Sequence, residues 1–220
     1  LNFWKEKKIK IIPLLTLFFI LTISLISFYP DYWNYTLPHD TEEINTGITE
    51  DGHPWIGARN PELTIIEFSD YLCFQCKKMH FFLRNIVSSS PERLRLVHRN
   101  FPMDHRFNPI VKGSFHNGAG ILALIAISAV EQNRFWETND YLYRYDLSEG
   151  AIYLRKIAED LNTDLQKLQQ NINNKSTRVK LTKDIIFGIK HKFEGTPVYI
   201  INDQVYTGQI PLNIIQSLKK

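Results

Sequence analysis

Cysteine is nearly absent from this chain: Cys73 and Cys76 are its only two among 220 residues. That scarcity excludes a scaffold stapled by several disulfides and routes any disulfide chemistry through one Cys-Phe-Gln-Cys tetrad. A closed zinc site is poorly supplied as well. Cys73, Cys76 and His80 have C-x2-C-x3-H spacing, but no second Cys/His cluster offers a fourth ligand. His80 reads instead as a polar surface residue beside the tetrad. His98, His105, His116 and His191 are scattered, and each reads as a surface or satisfied core residue. Basic runs and aromatic-interleaved basic patches are missing beyond residue 29, which leaves nucleic-acid binding without support. Internal repeats and low-complexity tracts are missing too.

The first thirty residues lack alanine. Lys5, Lys7, Lys8 and Lys10 precede an apolar run from Ile11 to Tyr29, about the length of a bilayer-crossing helix. Ser27-Phe28-Tyr29-Pro30 follows, with no small-x-small cleavage site. The segment therefore reads as a retained signal-anchor, although a cleaved signal peptide has much the same pattern. The basic flank places the N-terminus in the cytoplasm. The expected organisation is a cytoplasmic stub over 1–8 and a single-pass transmembrane helix over 9–29 in the cell (inner) membrane. A tether and lead-in segment over 30–60 and a folded domain over 61–220 then lie on the periplasmic, extracytoplasmic side. In such compartments disulfides form and persist. The formal charge of +3 equals that of residues 1–29, so the exported part is close to neutral.

Pro30, Pro38, Gly47, Gly52, Pro54 and Gly57 punctuate a polar, irregular stretch, with Trp55 and Ile56 expected at the domain edge. Residues 63–68, rich in β-branched side chains, predict a buried strand. A helix follows over 73–87. Residues 93–101 then alternate as a second strand, with Leu94, Leu96 and His98 on one face. Strand, helix, strand predicts a parallel pair with a right-handed crossover. Helices are expected over 117–132, which is apolar nearly all round, and over 135–143, 149–161, 163–172 and 176–193. Thr163 and Ser176 suit N-caps and Gly195 a C-terminal stop. Strands 198–201 and 204–206 flank Asn202-Asp203, a hairpin signal, and 211–218 makes a final helix.

Two thiols at this spacing can close on each other. Cys73, at the start of a helix, is placed to be the attacking thiolate, and Cys76, one turn further in, to resolve. A static disulfide is the rival reading, but a four-residue loop offers little closure entropy. Glu67 interrupts an otherwise apolar strand six residues before Cys73. A carboxyl held near a buried thiol can take its proton, with burial raising its pKa; an edge-strand glutamate facing water is the alternative. Pro197 begins a strand, where proline belongs at an edge or a special turn. A cis Thr196–Pro197 bond leaves backbone groups free to pair with an extended peptide, whereas trans is the commoner form.

Thr64-Ile65-Ile66-Glu67-Phe68-Ser69-Asp70-Tyr71-Leu72-Cys73-Phe74-Gln75-Cys76 resembles the active-site segment of DsbA-family proteins. Gly195-Thr196-Pro197-Val198-Tyr199-Ile200-Ile201-Asn202 resembles that family's cis-proline strand. Trp55-Ile56-Gly57 and Asn100-Phe101-Pro102-Met103-Asp104 are similar to segments of its membrane-tethered, BdbD-like branch. The resemblance implies an α/β thioredoxin-like fold with an inserted helical domain, about 113–188, after an N-terminal transmembrane helix. It further implies Glu67 as buried proton acceptor, Cys73 as nucleophile, Cys76 as resolver and a cis Pro197, with Thr196, opposite the cysteines. No metal and no cofactor beyond a redox-active Cys73–Cys76 disulfide is expected. The implied partners are exported polypeptides with cysteines and a membrane redox protein of the DsbB or VKOR type. The implied activity is disulfide formation in exported proteins. A reductase or isomerase, or a non-catalytic chaperone-like peptide binder, would use the same groove. Strongly oxidising members carry Cys-Pro-His-Cys, whereas Phe74 and Gln75 stand here. Gln75 can donate a hydrogen bond but brings no charge, which implies a less stabilised Cys73 thiolate. Phe74 offers an apolar contact for substrate chains.

Overall fold

The structure, a computed structural model, describes residues 2–27, 36–37, 44–145 and 152–218; the side chains of 2–11, 26–27 and 218 lie outside that description. The chain divides into two units, residues 1–34 and 35–220. In the first, α1 (Asn2–Ser27) is a 26-residue helix with Pro13 inside it. Its apolar side chains from Phe18 to Leu21 are exposed. The Thr16 and Thr22 hydroxyls donate to carbonyls three and four residues back at 2.8–3.2 Å, so these two hydroxyls are satisfied within the helix. Among the described residues no helix is long and apolar enough to cross a membrane. Of the tether and lead-in segment expected over 30–60, residues 30–35 and 38–43 lie outside the described residues.

The second unit is built on a six-stranded sheet. β1 (Thr46–Ile48), β2 (Pro54–Gly57), β3 (Leu63–Ser69), β4 (Leu94–Asn100), β5 (Val198–Ile201) and β6 (Gln204–Thr207) are arranged β1-β2-β4-β3-β5-β6. β3 and β4 are parallel, joined through α2 (Phe74–Ser89), as strand-helix-strand order predicts. β5 lies antiparallel on the other side of β3. Asn202 and Asp203 both take positive φ, 49° and 61°, as a two-residue hairpin turn requires. β1 and β2 were not expected as strands. At three and four residues they are too short to show alternation, yet β2 pairs with β4 through Ile56 and Leu96. Gly57 is needed there: its φ is +113°, and a Cβ would lie 2.0 Å from the Leu94 carbonyl oxygen.

Between β4 and β5 lie α3 (Ala119–Val130), α4 (Phe135–Leu142), α5 (Leu154–Asp160), α6 (Leu165–Asn173) and α7 (Lys175–Lys190); α8 (Leu212–Leu218) follows β6. Residues 149–151 of one expected helix lie outside the described ones. α3 is buried on almost every side, as its apolar sequence demands. The caps differ from expectation. Asp164 rather than Thr163 accepts from the Lys167 N–H at 2.7 Å, and Asn174 rather than Ser176 accepts from the Ser176 N–H at 2.9 Å. α7 also stops well before Gly195. Lys192 takes φ +59°, and Phe193 turns back to donate to the Gly188 carbonyl at 2.9 Å while its ring packs on Phe68 and Phe101. Burial of that ring fixes the helix end without a glycine.

Strand alternation sorts β3 onto two faces. Phe68 meets Phe187 and Phe193, from α7 and the turn after it. Glu67 and Ser69 point the opposite way, where the Ser69 hydroxyl bonds Tyr143. On that second face, Asp140 of α4 holds α2 by a bidentate contact to Arg84, at 3.0 and 2.9 Å.

Candidate active site

β3 delivers the chain to a tight turn over residues 70–72, and Cys73 caps α2 with extended backbone, φ −78° and ψ 118°. Its N–H donates to the Asp70 carbonyl at 3.2 Å, and its carbonyl accepts the first helical bond, from Lys77, at 3.0 Å. The Cys73 sulfur accepts the Cys76 N–H at 3.2 Å, in the place an N-cap serine oxygen takes. On its other side the sulfur lies 3.4 Å from the Thr196 carbonyl oxygen, and the Thr196–Pro197 bond that follows is cis. The active-site turn and the start of β5, far apart in sequence, thus meet at one sulfur atom. Both cysteines are free thiols; Cys73 is 8% exposed and Cys76 fully buried.

The two sulfurs differ in acidity. The hydrogen bond with the Cys76 thiol, then the Cys76 N–H and Thr196, pull the Cys73 thiol from the ordinary value near 9 down to about 6, against burial and the Asp70 charge. Burial pushes the Cys76 thiol well above 9, and the bond to Cys73 and its charge push the same way.

Glu67 is buried and pairs with His98, Oε1 to Nδ1, at 2.8 Å. The pairing follows from register: Glu67 stands beside His98 on β4 and Tyr199 on β5. His98 also contacts the Asn100 side chain at 3.4 Å and the Tyr71 hydroxyl at 3.5 Å. It lines a cavity of about 140 Å³ that reaches His53, Lys180, Lys183 and Asp184. That space is roomy enough for water, and its mixed lining includes the polar side chains of His53, His98, Asn100 and Asp184.

Phe74 is 65% exposed, with the Lys78 ammonium 4.4 Å from its ring centroid. Gln75 is half-buried and makes no side-chain hydrogen bond to Cys73. His80 is a correction. It is not a surface residue but wholly buried, with Nε2 2.6 Å from Asp140 and Nδ1 3.4 Å from Asn139. Burial holds its pKa below the ordinary value despite the Asp140 carboxylate. Both ring nitrogens are engaged away from the cysteines, so His80 completes no metal set with them.

Asp70, expected only as a connector, has a carboxylate wholly withdrawn from solvent. It accepts from the Leu72 and Met103 N–H groups, both at 2.6 Å, and lies 3.1 Å from Nδ1 of His116. His98 and His116 carried no assigned role in the sequence. Alternation did put His98 on one face with Leu94 and Leu96, and the parallel pairing then places Glu67 beside it. For His116, 43 residues beyond Cys73, no local pattern signals the approach.

The thioredoxin family profile matches residues 49–218. Among curated relatives, a protein from Salinispora tropica named Na(+)/H(+) antiporter NhaA 3 is 25% identical over 158 residues. That match covers 72% of this chain, which spans 22% of the relative's length. A thioredoxin-like oxidoreductase from Silicibacter pomeroyi superposes with TM-score 0.62 at 22% identity, covering 77% of this chain and 91% of its own. The thiol-disulfide exchange protein alpha-DsbA2 from Wolbachia pipientis gives 0.59 at 17%, covering 75% and 84%. Oxidised BdbD from Bacillus subtilis gives 0.58 at 17%, covering 80% and 96%. The chain belongs to the thioredoxin family and shares its fold with these solved oxidoreductase structures.

Proposed function

We propose that this protein donates disulfides to exported polypeptides through Cys73 and Cys76. The observation that carries the reading is the split between the two thiols: one held near 6 on a helix cap, its neighbour buried and held well above 9. In the oxidising direction a substrate thiolate attacks Cys73 of the Cys73–Cys76 disulfide. The S–S bond breaks, a mixed disulfide forms at Cys73, and Cys76 leaves as a thiolate that takes up a proton. Glu67, by way of His98 and the cavity beside it, holds and passes that proton. The substrate's second thiolate then attacks the substrate sulfur of the mixed disulfide and expels Cys73. Two electrons have moved from substrate to protein. A thiol near 6 leaves readily and favours the reduced protein, which drives donation. It lies between the values near 7 of thioredoxin and 3.5 of DsbA, as a cysteine tetrad without histidine implies.

The Thr196 carbonyl, Pro197 and exposed Phe74 form the groove for an extended substrate chain beside Cys73. α1 serves as the anchor, its self-satisfied threonines and basic flank supporting that reading, with the domain on the extracytoplasmic side. Reoxidation needs an oxidant of the quinone-linked membrane class, a DsbB- or VKOR-type protein. The reading is tested by equilibrating the detergent-solubilised full chain with glutathione. A potential of about −120 to −180 mV supports donation, whereas about −270 mV assigns the reverse, reducing direction.

A further inference from the structure

The strong oxidants of the resembled family place a histidine inside the tetrad, and Gln75 occupies that position here. A basic side chain is nonetheless present at this end of the molecule, supplied from another segment. His116 lies just before α3, with Nδ1 3.1 Å from Oδ2 of Asp70. Asp70 in turn is tied to the cysteine turn: its carbonyl accepts the Cys73 N–H, and its carboxylate accepts the Leu72 N–H. A fully buried carboxylate three residues before a thiolate opposes that thiolate unless something neutralises it. His116 is the basic side chain in contact with Asp70.

The position of His116 is fixed rather than incidental. Asp104 accepts from the N–H groups of Gly118 and Gly120, at 2.9 and 3.4 Å, which pins the start of α3. Burial opposes ionisation of Asp104, but Arg106 and the amides of Gly118 and Arg106 hold it down at about 2, so this clamp stays charged. Gly118 takes φ +110°, and the exposed Phe115 ring stacks on the His116 imidazole with centroids 3.9 Å apart. The groups facing the imidazole are Asp70, from the β3–α2 turn, and Cys73, from the head of α2. Although burial opposes it, both raise the His116 pKa above its ordinary value.

We propose that His116, charged and paired with Asp70, stabilises the Cys73 thiolate in place of the missing tetrad histidine, so that the oxidising strength of the couple follows the protonation of a residue outside the motif. His116 is then a positioning residue that acts through Asp70. The inference rests on Cys73 being the redox thiolate, as proposed above.

The test compares His116→Gln, which keeps a hydrogen-bond donor but no charge, with the unaltered full chain. Thiolate absorbance is followed against pH, and the couple is equilibrated with glutathione. The expected result is a Cys73 titration raised by about half a unit or more, with the balance toward the reduced form falling about threefold. The gap should be present on the acid side of the His116 titration and close as pH rises through it, where the unaltered protein loses its cation too. Asp70→Asn should move the titration the opposite way. An unmoved titration in His116→Gln, with a wild-type couple that still equilibrates, overturns the inference and leaves the proposed function standing. A gap independent of pH assigns His116 a packing role and overturns it as well. A wild-type chain that exchanges no thiols with glutathione instead defeats the underlying function.

Discussion

Cys73 caps α2 and titrates near 6, whereas Cys76, one turn further in, is held well above 9. The two residues are chemically identical and belong to one helix. What separates them is place. The first sulfur receives a backbone N–H at the positive end of the helix. The second is fully buried beside the first one's charge. Roles in this dithiol are set by where the helix cap places each sulfur, with the hydrogen bond from the Cys76 thiol the largest pull on Cys73, and the two intervening side chains tune that arrangement.

The sharpest way to break the comparison is to remove one sulfur at a time. Cys73→Ser should abolish exchange with a dithiol peptide. Cys76→Ser should instead accumulate a mixed disulfide visible on a non-reducing gel. Equal behaviour of the two variants would mean the sulfurs are not differentiated.

A second comparison lies within α2, between its chemical head and its structural body. Asp140→Ala strands the buried Arg84 and should cost about 3–5 kcal/mol in denaturant unfolding. The same change should leave the Cys73 titration near 6. A moved titration would show that the head is not independent of the body.

The proton path gives a kinetic contrast. Glu67→Gln retains a partner for His98 but removes the group that takes the Cys76 proton when the dithiol is reoxidised, and should slow reoxidation by oxidised glutathione about 10- to 100-fold in stopped-flow mixing. The deficit should shrink toward alkaline pH, where solvent can take the proton. An unchanged rate would assign Glu67 to packing alone.

Tuning within the tetrad is the smaller effect. Gln75→His should lower the Cys73 titration and make the couple more oxidising by about 30 mV, one tenfold step in equilibrium. A smaller consequence is a link between stability and pH. The folded Cys73 pKa is depressed, so its contribution to the reduced form is complete above the ordinary value near 9 and is lost as pH falls through about 6. The melting-temperature gap between reduced and oxidised protein should therefore widen from pH 6 to pH 9.

These contrasts also separate what the sequence discloses from what it hides. The Cys-Phe-Gln-Cys tetrad, the strand before it and the hairpin at Asn202-Asp203 are local patterns, and all are legible because the interactions that fix them span few residues. β1 and β2 escape notice because strands of three and four residues carry too little alternation. His80 misleads for a different reason. A histidine on a polar helix surface and one buried against a distant carboxylate look alike until Asp140, 60 residues on, is brought to it. Asp70 and His116 are hidden in the same way, since their contact spans 46 residues and two irregular segments. Helix ends were misplaced where tertiary packing decided, as when the Phe193 ring closed α7 ahead of Gly195.

The most direct test of the account is thiolate ultraviolet absorbance of the reduced full chain against pH, repeated with Cys73→Ser and Cys76→Ser. One thiol titrating near pH 6, lost in Cys73→Ser and kept in Cys76→Ser, is the predicted result, although removing the Cys76 thiol should move the midpoint upward. No thiolate signal below about pH 8 in the unaltered chain, or a low titration that survives in Cys73→Ser, would contradict it.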